Sequence, residues 1–420
     1  MIKKILTFFK TNVKELLIVF VLLFFSNDTL LFGTNANKSV FWLQFVALLF
    51  LMLFLVVKAR CISTRSILIL FSFSLLIILT SSINNDFSIK YPYEFIMIFI
   101  SILVVEAVSF DRFKKAFCFW VEFFCAVAIF LFLLSFVAPG LINLFPTIIN
   151  ENGVRYQFVL FGLIEEPGYS VVPRVYGVFR EPGVFMVFLL MALLFESLFS
   201  KTLPIKRVLL LAIGVLVTFS TAAYLLLLLT IVTILIKHLI LNPDLKAKKK
   251  ALSFLLLFLI GCCLFVGIIG FDRINNFVFN KLRVSNNSYD SRVGSIYGNI
   301  AMFTRNPIFG NGFTFFENNF SEYAYIRGFY EAHNTNTFLK ILSVHGIVYF
   351  CIVLVGFAGL FAKNCHSVII FLLSFFIILG IFSDEDLMVN TIVYVFVCYG
   401  LCKTKKQSLP LEQRYMVLKV

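Results

Sequence analysis

Long apolar runs separated by short polar segments dominate the chain, and their length predicts membrane-spanning helices. A helix needs about 20 apolar residues to cross the ~30 Å hydrocarbon layer of a bilayer. Twelve runs approach or reach this length, of which the seventh, eighth and twelfth are short. Residues 208–236 also fit one long span plus a re-entrant piece. The predicted spans are residues 15–32, 40–57, 66–83, 93–108, 117–137, 184–199, 208–219, 222–236, 252–271, 343–362, 367–382 and 391–401.

Composition indicates that lipid, rather than water, is the solvent for most of this chain. Hydrophobic residues make up 60% of the 420 residues and charged residues only 14%. Soluble domains are about half apolar and about a quarter charged. In a soluble protein the net charge of +14 would suggest nucleic acid. Here the position of the charges matters more, and no nucleic-acid partner is expected.

The basic residues follow the alternation of the predicted spans. With the N-terminus placed in the cytoplasm, 24 of the 36 Lys and Arg residues fall on the cytoplasmic side. Cytoplasmic loops of membrane proteins carry such an excess. The pattern predicts an even number of spans, both termini in the cytoplasm, and an inner-membrane location. The first apolar run lacks a small-residue cleavage site, so no cleavable signal peptide is expected.

This topology leaves two long loops on the outer side, residues 138–183 and 272–342. Long connections in a compact fold are usually functional or disordered. We expect an all-α, polytopic membrane protein with its chemistry in these two loops. The predicted division is spans 1–5 in residues 1–137, the first loop in 138–183, spans 6–9 in 184–271, the second loop in 272–342, spans 10–12 in 343–402, and a cytoplasmic tail in 403–420.

The first candidate segment is PRVYGVFREPG, residues 173–183, which leads into the sixth predicted span. Glu181 and Pro182 suit a helix N-terminus, because the helix dipole favours a carboxylate there and proline fits the first turn. Arg174 and Arg180 lie six residues apart, and an arginine fork can hold phosphate oxygens through two parallel bonds. The segment predicts either a phosphate-binding site at the membrane surface or a helix entry with interfacial arginines.

The second candidate segment is residues 290–312, DSRVGSIYGNIAMFTRNPIFGNG. Asp290 or Ser291 is expected to cap a helix that runs to residue 304 and is stopped by Asn306–Pro307. Arg292 would then lie in the first turn, where the dipole disfavours a positive charge, so a partner anion is expected. The glycines that follow predict a tight turn, either beside a ligand or as ordinary loop geometry.

The third candidate segment is residues 331–345, EAHNTNTFLKILSVH. Asn334 or Thr335 is expected to start a helix that continues into the tenth span, with His333 at its outer tip. A neutral imidazole in an outer cleft suits a general base for a sugar hydroxyl, and Glu331 can orient it or share the role. A histidine at a helix cap also has an ordinary structural interpretation.

Other motifs narrow the choice of chemistry. The acidic triplet at residues 384–386 either binds a divalent metal or simply follows the topology, and without a second ligand cluster no metal site is predicted. The nine cysteines show no zinc or disulfide spacing. No GK[ST] loop, HExxH or GxSxG motif occurs. No cofactor is expected.

The acidic residues noted in the predicted spans all lie near a membrane face. An ion-coupled transporter generally carries ionisable groups or broken helices near the midplane, so this distribution disfavours a transporter. The residues are Glu15, Asp28, Glu106, Glu122 and Glu196.

Taken in order, the three segments resemble the O-antigen polymerase and O-antigen ligase superfamily of bacterial envelope glycosyltransferases, which are GT-C-like in fold. The resemblance rests on Arg174, Gly177 and Arg180–Gly183, on Arg292 to Phe313, and on the stretch from His333 to Gly346. It covers residues 173–359, and the flanking spans match by hydropathy alone. The chain departs from the pattern at residues 219–224, FSTAAY, where relatives often carry a serine–arginine pair.

The resemblance implies a metal-independent, inverting transfer from an undecaprenyl-diphosphate-linked sugar. Arg180 and Arg292 would bind the diphosphate leaving group, and His333 would act near the acceptor hydroxyl, with Glu181 in support. Arg174, Tyr297, Glu331 and Asn334 are expected to contact substrate. The implied partners are lipid-linked oligosaccharide repeats, the bilayer, a chain-length regulator and a flippase.

Three functions fit the sequence. A polymerase, favoured by the EPG segment and the moderate loop lengths, would move the growing glycan onto a new lipid-linked repeat. A ligase would transfer the finished glycan to lipid A–core. A lipid-linked oligosaccharide flippase would instead carry its charges in a central cavity and have short loops.

Overall fold

The computed structural model describes residues 2–32, 38–59, 62–149, 154–166, 173–200, 202–270, 287–326, 329–330, 333–365 and 367–402. It is 75% helical. The helices are α1 (Ile2–Phe24), α2 (Lys38–Ala59), α3 (Thr64–Ile83), α4 (Lys90–Ala107), α5 (Phe110–Val137), α6 (Pro139–Ile142), α7 (Pro182–Leu198), α8 (Ile205–Val217), α9 (Thr221–Leu235), α10 (Leu245–Ile269), α11 (Asn287–Arg305), α12 (Phe313–Tyr323), α13 (Thr337–Asn364), α14 (Val368–Ser383) and α15 (Thr391–Leu401).

A helix lies at each of the twelve predicted spans. In the described part of the chain, five helices are long and apolar enough to cross a membrane: α3, α5, α10, α13, and α9 with its π-helical continuation to Ile240. Most of α2 and all of α7, α14 and α15 are shorter apolar helices. The chain is thus a multi-pass helical membrane protein, and the number of twelve spans stays a prediction.

Residues 208–236 form two helices rather than one long span. The break falls at Phe219, whose backbone is left-handed with φ of 53°. Ser220 then caps α9 by accepting a hydrogen bond from the Ala223 amide, as serine commonly does at this position. The helix from Thr221 to Ile240 is long enough to cross a membrane, whereas α8 is 13 residues long. The choice between two spans and one long span plus a re-entrant piece stays a prediction.

Helices α7 and α15 form the centre of the bundle. Every residue of α7 is buried, and so is every residue of α15 except the last. Helix α15 packs tightly on α13, where a Cβ atom at Gly400 would lie 1.7 Å from the Gly356 carbonyl oxygen. Small residues that let backbones approach this closely are a common way to associate helices in lipid.

The first long loop contains a four-stranded antiparallel sheet, so the all-α prediction is wrong in detail. Its strands are β1 (Thr147–Ile149), β2 (Arg155–Val159), β3 (Gly162–Glu165) and β4 (Val175–Gly177), paired in that order. Tyr156, Leu163 and Tyr176 pack with Leu30 in a small core of their own. A bridge between Thr29 and Phe179 joins the segment after β4 to the turn after α1, which fixes the backbone next to Arg180.

The second long loop holds α11, α12 and a short hairpin, β5 (Tyr325–Ile326) and β6 (Phe329–Tyr330). Between the two helices, Gly310 and Gly312 adopt positive φ, and the turn packs against a kink in α13 at Gly346. The Asn311 and Gly312 amides donate to the Ser343 and Val344 carbonyls across this contact. The predicted tight glycine turn is thus confirmed, and it is seated on α13.

Two predicted helix starts are wrong. Helix α11 begins at Asn287, three residues before Asp290, so Arg292 lies beyond the first turn. Helix α13 begins at Thr337, capped by the Asn336 side chain, which accepts from the Leu339 amide. His333 therefore precedes the helix by four residues instead of forming its tip.

Candidate functional site

Charged side chains from separate segments meet at the end of the bundle that the charge pattern predicts to face outward, here called the outer end. They come from the turn after α1, the residues before α7, α11, the first turn of α13 and the turn between α14 and α15. We call this set the outer charged cluster. It consists of Asp28, Arg180, Glu181, Arg292, Lys340, Asp384, Glu385 and Asp386.

Arg180 is held by contacts on three sides. Its Nε lies 3.2 Å from Asp28 Oδ1, and its Nη1 lies 3.0 Å from Glu181 Oε1. Its Nη2 donates to the Asp386 carbonyl at 3.1 Å, and its backbone amide donates to the Asp28 carbonyl. Burial opposes the guanidinium charge, but Asp28 and Glu181 outweigh it and raise the pKa of Arg180 above its ordinary value. The positive charge is therefore fixed in place and permanent.

Arg292 has a partner anion, although it lies beyond the first turn on which that expectation was based. Its Nε lies 2.9 Å from Asp384 Oδ1, and its Nη2 is 3.5 Å from Asp384 Oδ2, a forked approach to the carboxylate. This contact joins residues 92 positions apart. Since Arg180 binds the Asp386 carbonyl two residues further on, the two arginines lie on the same acidic turn.

The EPG motif makes room for that acidic turn. A Cβ atom at Gly183 would lie 1.6 Å from Glu385 Oε1, so only glycine allows the carboxyl group to sit against the start of α7. Glu181 and Pro182 form the N-cap and first turn of α7, as predicted. Burial raises the pKa of the Glu385 carboxyl well above its usual range, and Glu181 raises it further, against the effect of Arg180. Burial likewise raises the pKa of Asp384 against Arg292.

The acidic turn is also tied to the first turn of α13. Lys340 Nζ pairs with Asp386 Oδ2. The Thr337 hydroxyl donates to the Glu385 carbonyl and accepts from the Leu387 amide at 2.8 Å. The segment from 384 to 386 therefore contacts both arginines and α13. These contacts give it a structural role that the sequence analysis did not assign.

The remaining predicted site residues fall at different distances from the cluster. Asn334 accepts from Ser295 at 2.8 Å and Asn299 at 2.6 Å, which pins the segment before α13 to α11 three residues beyond Arg292. His333, next to it, is exposed at the outer end. Tyr297 is exposed on α11. Glu331 lies outside the described residues.

Arg174 stands apart from the cluster, on the sheet. It precedes β4, with its guanidinium carbon 6.0 Å from the centre of the Tyr176 ring. Its backbone amide donates to Glu165 Oε2 at 3.4 Å. These contacts place Arg174 on the sheet.

A buried polar network that the sequence did not reveal lies beneath the cluster. His345 Nε2 lies 2.9 Å from Glu94 Oε2, and the Tyr349 and Tyr394 hydroxyls donate to Glu94 Oε1 at 2.7 and 2.6 Å. All four side chains are fully buried or nearly so. They link α4, α13 and α15, and we call them the buried glutamate network.

The outer charged cluster has spare capacity for an anion. An arginine carries five N–H donors. Within the described residues, Arg180 uses three of them and Arg292 uses two. The unused donors provide a site for a ligand with several anionic oxygens, which can bind beside the protein's own carboxylates or in place of them.

The fold and the site thus define a multi-pass helical membrane protein with a paired-arginine site at one end. Residues 207–354 match the family model described as O-Antigen ligase. The match runs from α8 into α13 and includes Arg292 and His333, but not Arg180 or the acidic turn. It confirms the resemblance to the O-antigen polymerase and ligase superfamily. No curated protein and no solved structure shows a significant match.

Proposed function

We propose that this protein is a surface-polysaccharide polymerase of the O-antigen type. It transfers the growing glycan from undecaprenyl diphosphate to the non-reducing end of a new lipid-linked repeat. In this proposal it lies in a bacterial inner membrane, with both termini in the cytoplasm and the outer charged cluster in the periplasm. A flippase supplies its repeats and a chain-length regulator acts beside it.

The proposal rests on the observation that Arg180 and Arg292 both contact the turn at residues 384–386. Two segments separated by more than a hundred residues converge on one site with unused guanidinium donors. Fixed donors aimed at developing charge are usually the largest single contribution to catalysis. A diphosphate has the charge and the number of oxygens that two arginine forks can hold.

The proposed reaction is a single displacement with inversion. The acceptor hydroxyl oxygen forms a bond to the anomeric carbon of the donor sugar, and the bond from that carbon to the diphosphate oxygen breaks. The electron pair leaves with undecaprenyl diphosphate, where Arg180 and Arg292 stabilise the new charge. The hydroxyl proton passes to His333, which acts as the general base.

Because Asn334 is bonded to Ser295 and Asn299, the segment that bears His333 is held against the same helix that bears Arg292. This placement supports a base close to the leaving-group site. Glu181, which is bonded to Arg180, supports the position of that guanidinium.

A ligase is the second candidate, because the matching family model is described as O-Antigen ligase. A ligase would use the same donor and the same leaving-group site, and would transfer the finished glycan to lipid A–core. The two functions differ only in the acceptor.

Gene deletion separates the candidates. Loss of a polymerase leaves lipopolysaccharide capped with a single repeat, whereas loss of a ligase or a flippase leaves none. Polymerase activity also predicts that the purified protein in proteoliposomes extends lipid-linked repeats into a ladder. A deletion strain with an unchanged polysaccharide ladder, together with no ladder in proteoliposomes, would exclude the proposal.

A further inference from the structure

Two lysines from different helices meet under α12. Lys90 is the first residue of α4, and Lys340 lies in the first turn of α13. Lys90 Nζ is 6.0 Å from the centre of the Phe313 ring, and Lys340 Nζ is 5.4 Å from the centre of the Phe316 ring. These two rings lie three residues apart on one face of α12 and are almost fully buried. The two ammonium groups therefore lie under the same face of α12, and we call Lys90 and Lys340 the lysine pair.

The charges of the lysine pair oppose each other. Burial lowers the pKa of Lys90, which precedes the predicted fourth span, and the charge of Lys340 lowers it further against the effect of Asp386. A like charge nearby disfavours the charged form of a group. An anion bound to both lysines would relieve this repulsion.

Each lysine holds one carboxylate of the protein. Lys90 pairs with Glu317 of α12, and Lys340 pairs with Asp386. The side chains of Lys90 and Glu317 are 41% and 42% exposed. An ion pair at such an exposed position contributes little to stability, so Glu317 can turn into water and leave Lys90 to another carboxylate. Lys340 has three N–H donors, and Asp386 takes one of them among the described residues.

The lysine pair is next to the proposed leaving-group site. The side chain of Asp386 pairs with Lys340, while its carbonyl accepts from Arg180 Nη2 at 3.1 Å. In a transfer reaction, the groups that meet beside the leaving group are the first sugar of the donor and the last sugar of the acceptor. The acceptor's own diphosphate is separated from its reacting hydroxyl by a whole repeat. An anion that reaches the lysine pair therefore belongs to a sugar rather than to the lipid.

We propose that Lys90 and Lys340 form a subsite for a carboxylate-bearing sugar of the repeat, such as a hexuronic acid, so that the glycan is acidic. The proposal rests on the polymerase function for its place beside the leaving group. Glu317 occupies the subsite in the absence of substrate, and the sugar carboxylate replaces it. A neutral repeat gains nothing from the lysine pair, which makes Lys90 a specificity-determining residue.

The first test is the composition of the surface polysaccharide from the strain that carries the gene. Anion-exchange chromatography and mass spectrometry are expected to show an acidic sugar at one end of the repeat. At the reducing end this sugar is presented by the donor, and at the non-reducing end by the acceptor. A neutral repeat, or one with an acidic sugar at neither end, would overturn the proposal without touching the polymerase function.

The second test measures binding without transfer. Mild acid releases the single-repeat oligosaccharide from its lipid, which removes the diphosphate. Its matched control is the same oligosaccharide with its carboxyl groups converted to carboxamides. Saturation-transfer NMR with the full-length protein in nanodiscs gives both Kd values, and the carboxamide form is expected to bind about tenfold more weakly. This result does not require the protein to transfer sugar, so it stands apart from the polymerase function.

Two substitutions are expected to change the Kd of the acidic oligosaccharide in opposite directions. Lys90→Met removes a cation and should raise the Kd about tenfold, whereas Glu317→Gln removes the competing carboxylate and should lower it roughly threefold. Neither should change the Kd of the carboxamide form. The control is Lys114→Met, since Lys114 is paired with Asp111 at the opposite end of the bundle. Changes in the same direction for both variants, no change in either, or equal Kd values for the two oligosaccharides would overturn the proposal.

Discussion

The outer charged cluster and the buried glutamate network use the same residue types in different surroundings. The network pairs one carboxylate with one histidine and two tyrosine hydroxyls, all deeply buried. The cluster matches three cations with five carboxylates, and its arginines are partly exposed with donors to spare. A network closed off from solvent stabilises helix packing, whereas an accessible cluster with unused donors can bind a ligand. The comparison predicts that substitutions in the two regions fail in different ways.

The largest expected effect is on catalysis, from Arg180→Ala and Arg292→Ala. Each removes fixed donors from the leaving-group site, so transfer in proteoliposomes is expected to fall about 100- to 1,000-fold. Transfer is compared per folded molecule, because each substitution also leaves a buried carboxylate, Asp28 or Asp384, without its ion-pair partner. The matched control is Arg207→Ala at the opposite end of the bundle. Arg207 is also ion-paired, 3.2 Å from Glu196, and its loss should leave transfer intact.

His333→Ala tests the proposed base. Removal of a general base is expected to reduce transfer about 100-fold or more, while undecaprenyl diphosphate still binds. His333→Asn keeps hydrogen-bonding capacity without basicity and should be nearly as slow. Wild-type transfer rates in His333→Ala would show that the base lies elsewhere, and would leave the assignment of the arginines intact.

Glu94→Ala tests the other side of the comparison. It leaves His345 and two tyrosine hydroxyls buried without their partner, which is expected to cost about 3–5 kcal/mol of stability. The measurement is thermal unfolding in detergent, together with transfer per folded molecule, which should remain close to that of the wild type. Glu322→Ala, an exposed glutamate on α12, should unfold as the wild type does. Loss of transfer in well-folded Glu94→Ala protein would mean that the network takes part in the chemistry.

The smallest effect expected is on the pH dependence of stability, from Glu385→Gln. The raised pKa of Glu385 means that the folded protein binds more protons than the unfolded chain as pH rises above about 4.5. Stability therefore falls with rising pH through that range, and the glutamine variant should lose part of the slope. Asp384 has a pKa shifted in the same direction and should retain the rest. Unfolding curves between about pH 4 and 8 measure the difference, and equal slopes would contradict the shift.

Local sequence features were sufficient to predict the apolar helices, whereas α6 and α12 were not predicted. Apolar runs reflect direct contact of a helix with lipid, so a helix lies at each predicted span, although α1 ends at Phe24 rather than at residue 32. The four-stranded sheet was missed because its strands are three to five residues long and lie in a loop next to long apolar runs. The start of α13 was misplaced because Asn334 bonds to α11, and Asn336 serves as the cap instead.

The site was only half predictable, because its ion pairs join distant segments. An anion was expected beside Arg292 on the basis of a helix start that proved wrong, and its partner Asp384 lies 92 residues away. Arg180 was singled out by the EPG motif, while Asp28 is 152 residues before it. Glu94 escaped notice because it stands alone in an apolar run. Asp28, Lys340 and Asp384 all lie at or near the outer ends of apolar runs. That shared position was the feature of the sequence that could have grouped them with the arginines.

The central claim is that Arg180 and Arg292 together hold the diphosphate. The most direct measurement is the binding of undecaprenyl diphosphate, the leaving group itself, to the purified protein in nanodiscs by native mass spectrometry. Binding is expected in the wild type and in Arg207→Ala, and is expected to be lost in Arg180→Ala and in Arg292→Ala. Undiminished binding in both cluster variants, with all proteins folded, would contradict the account.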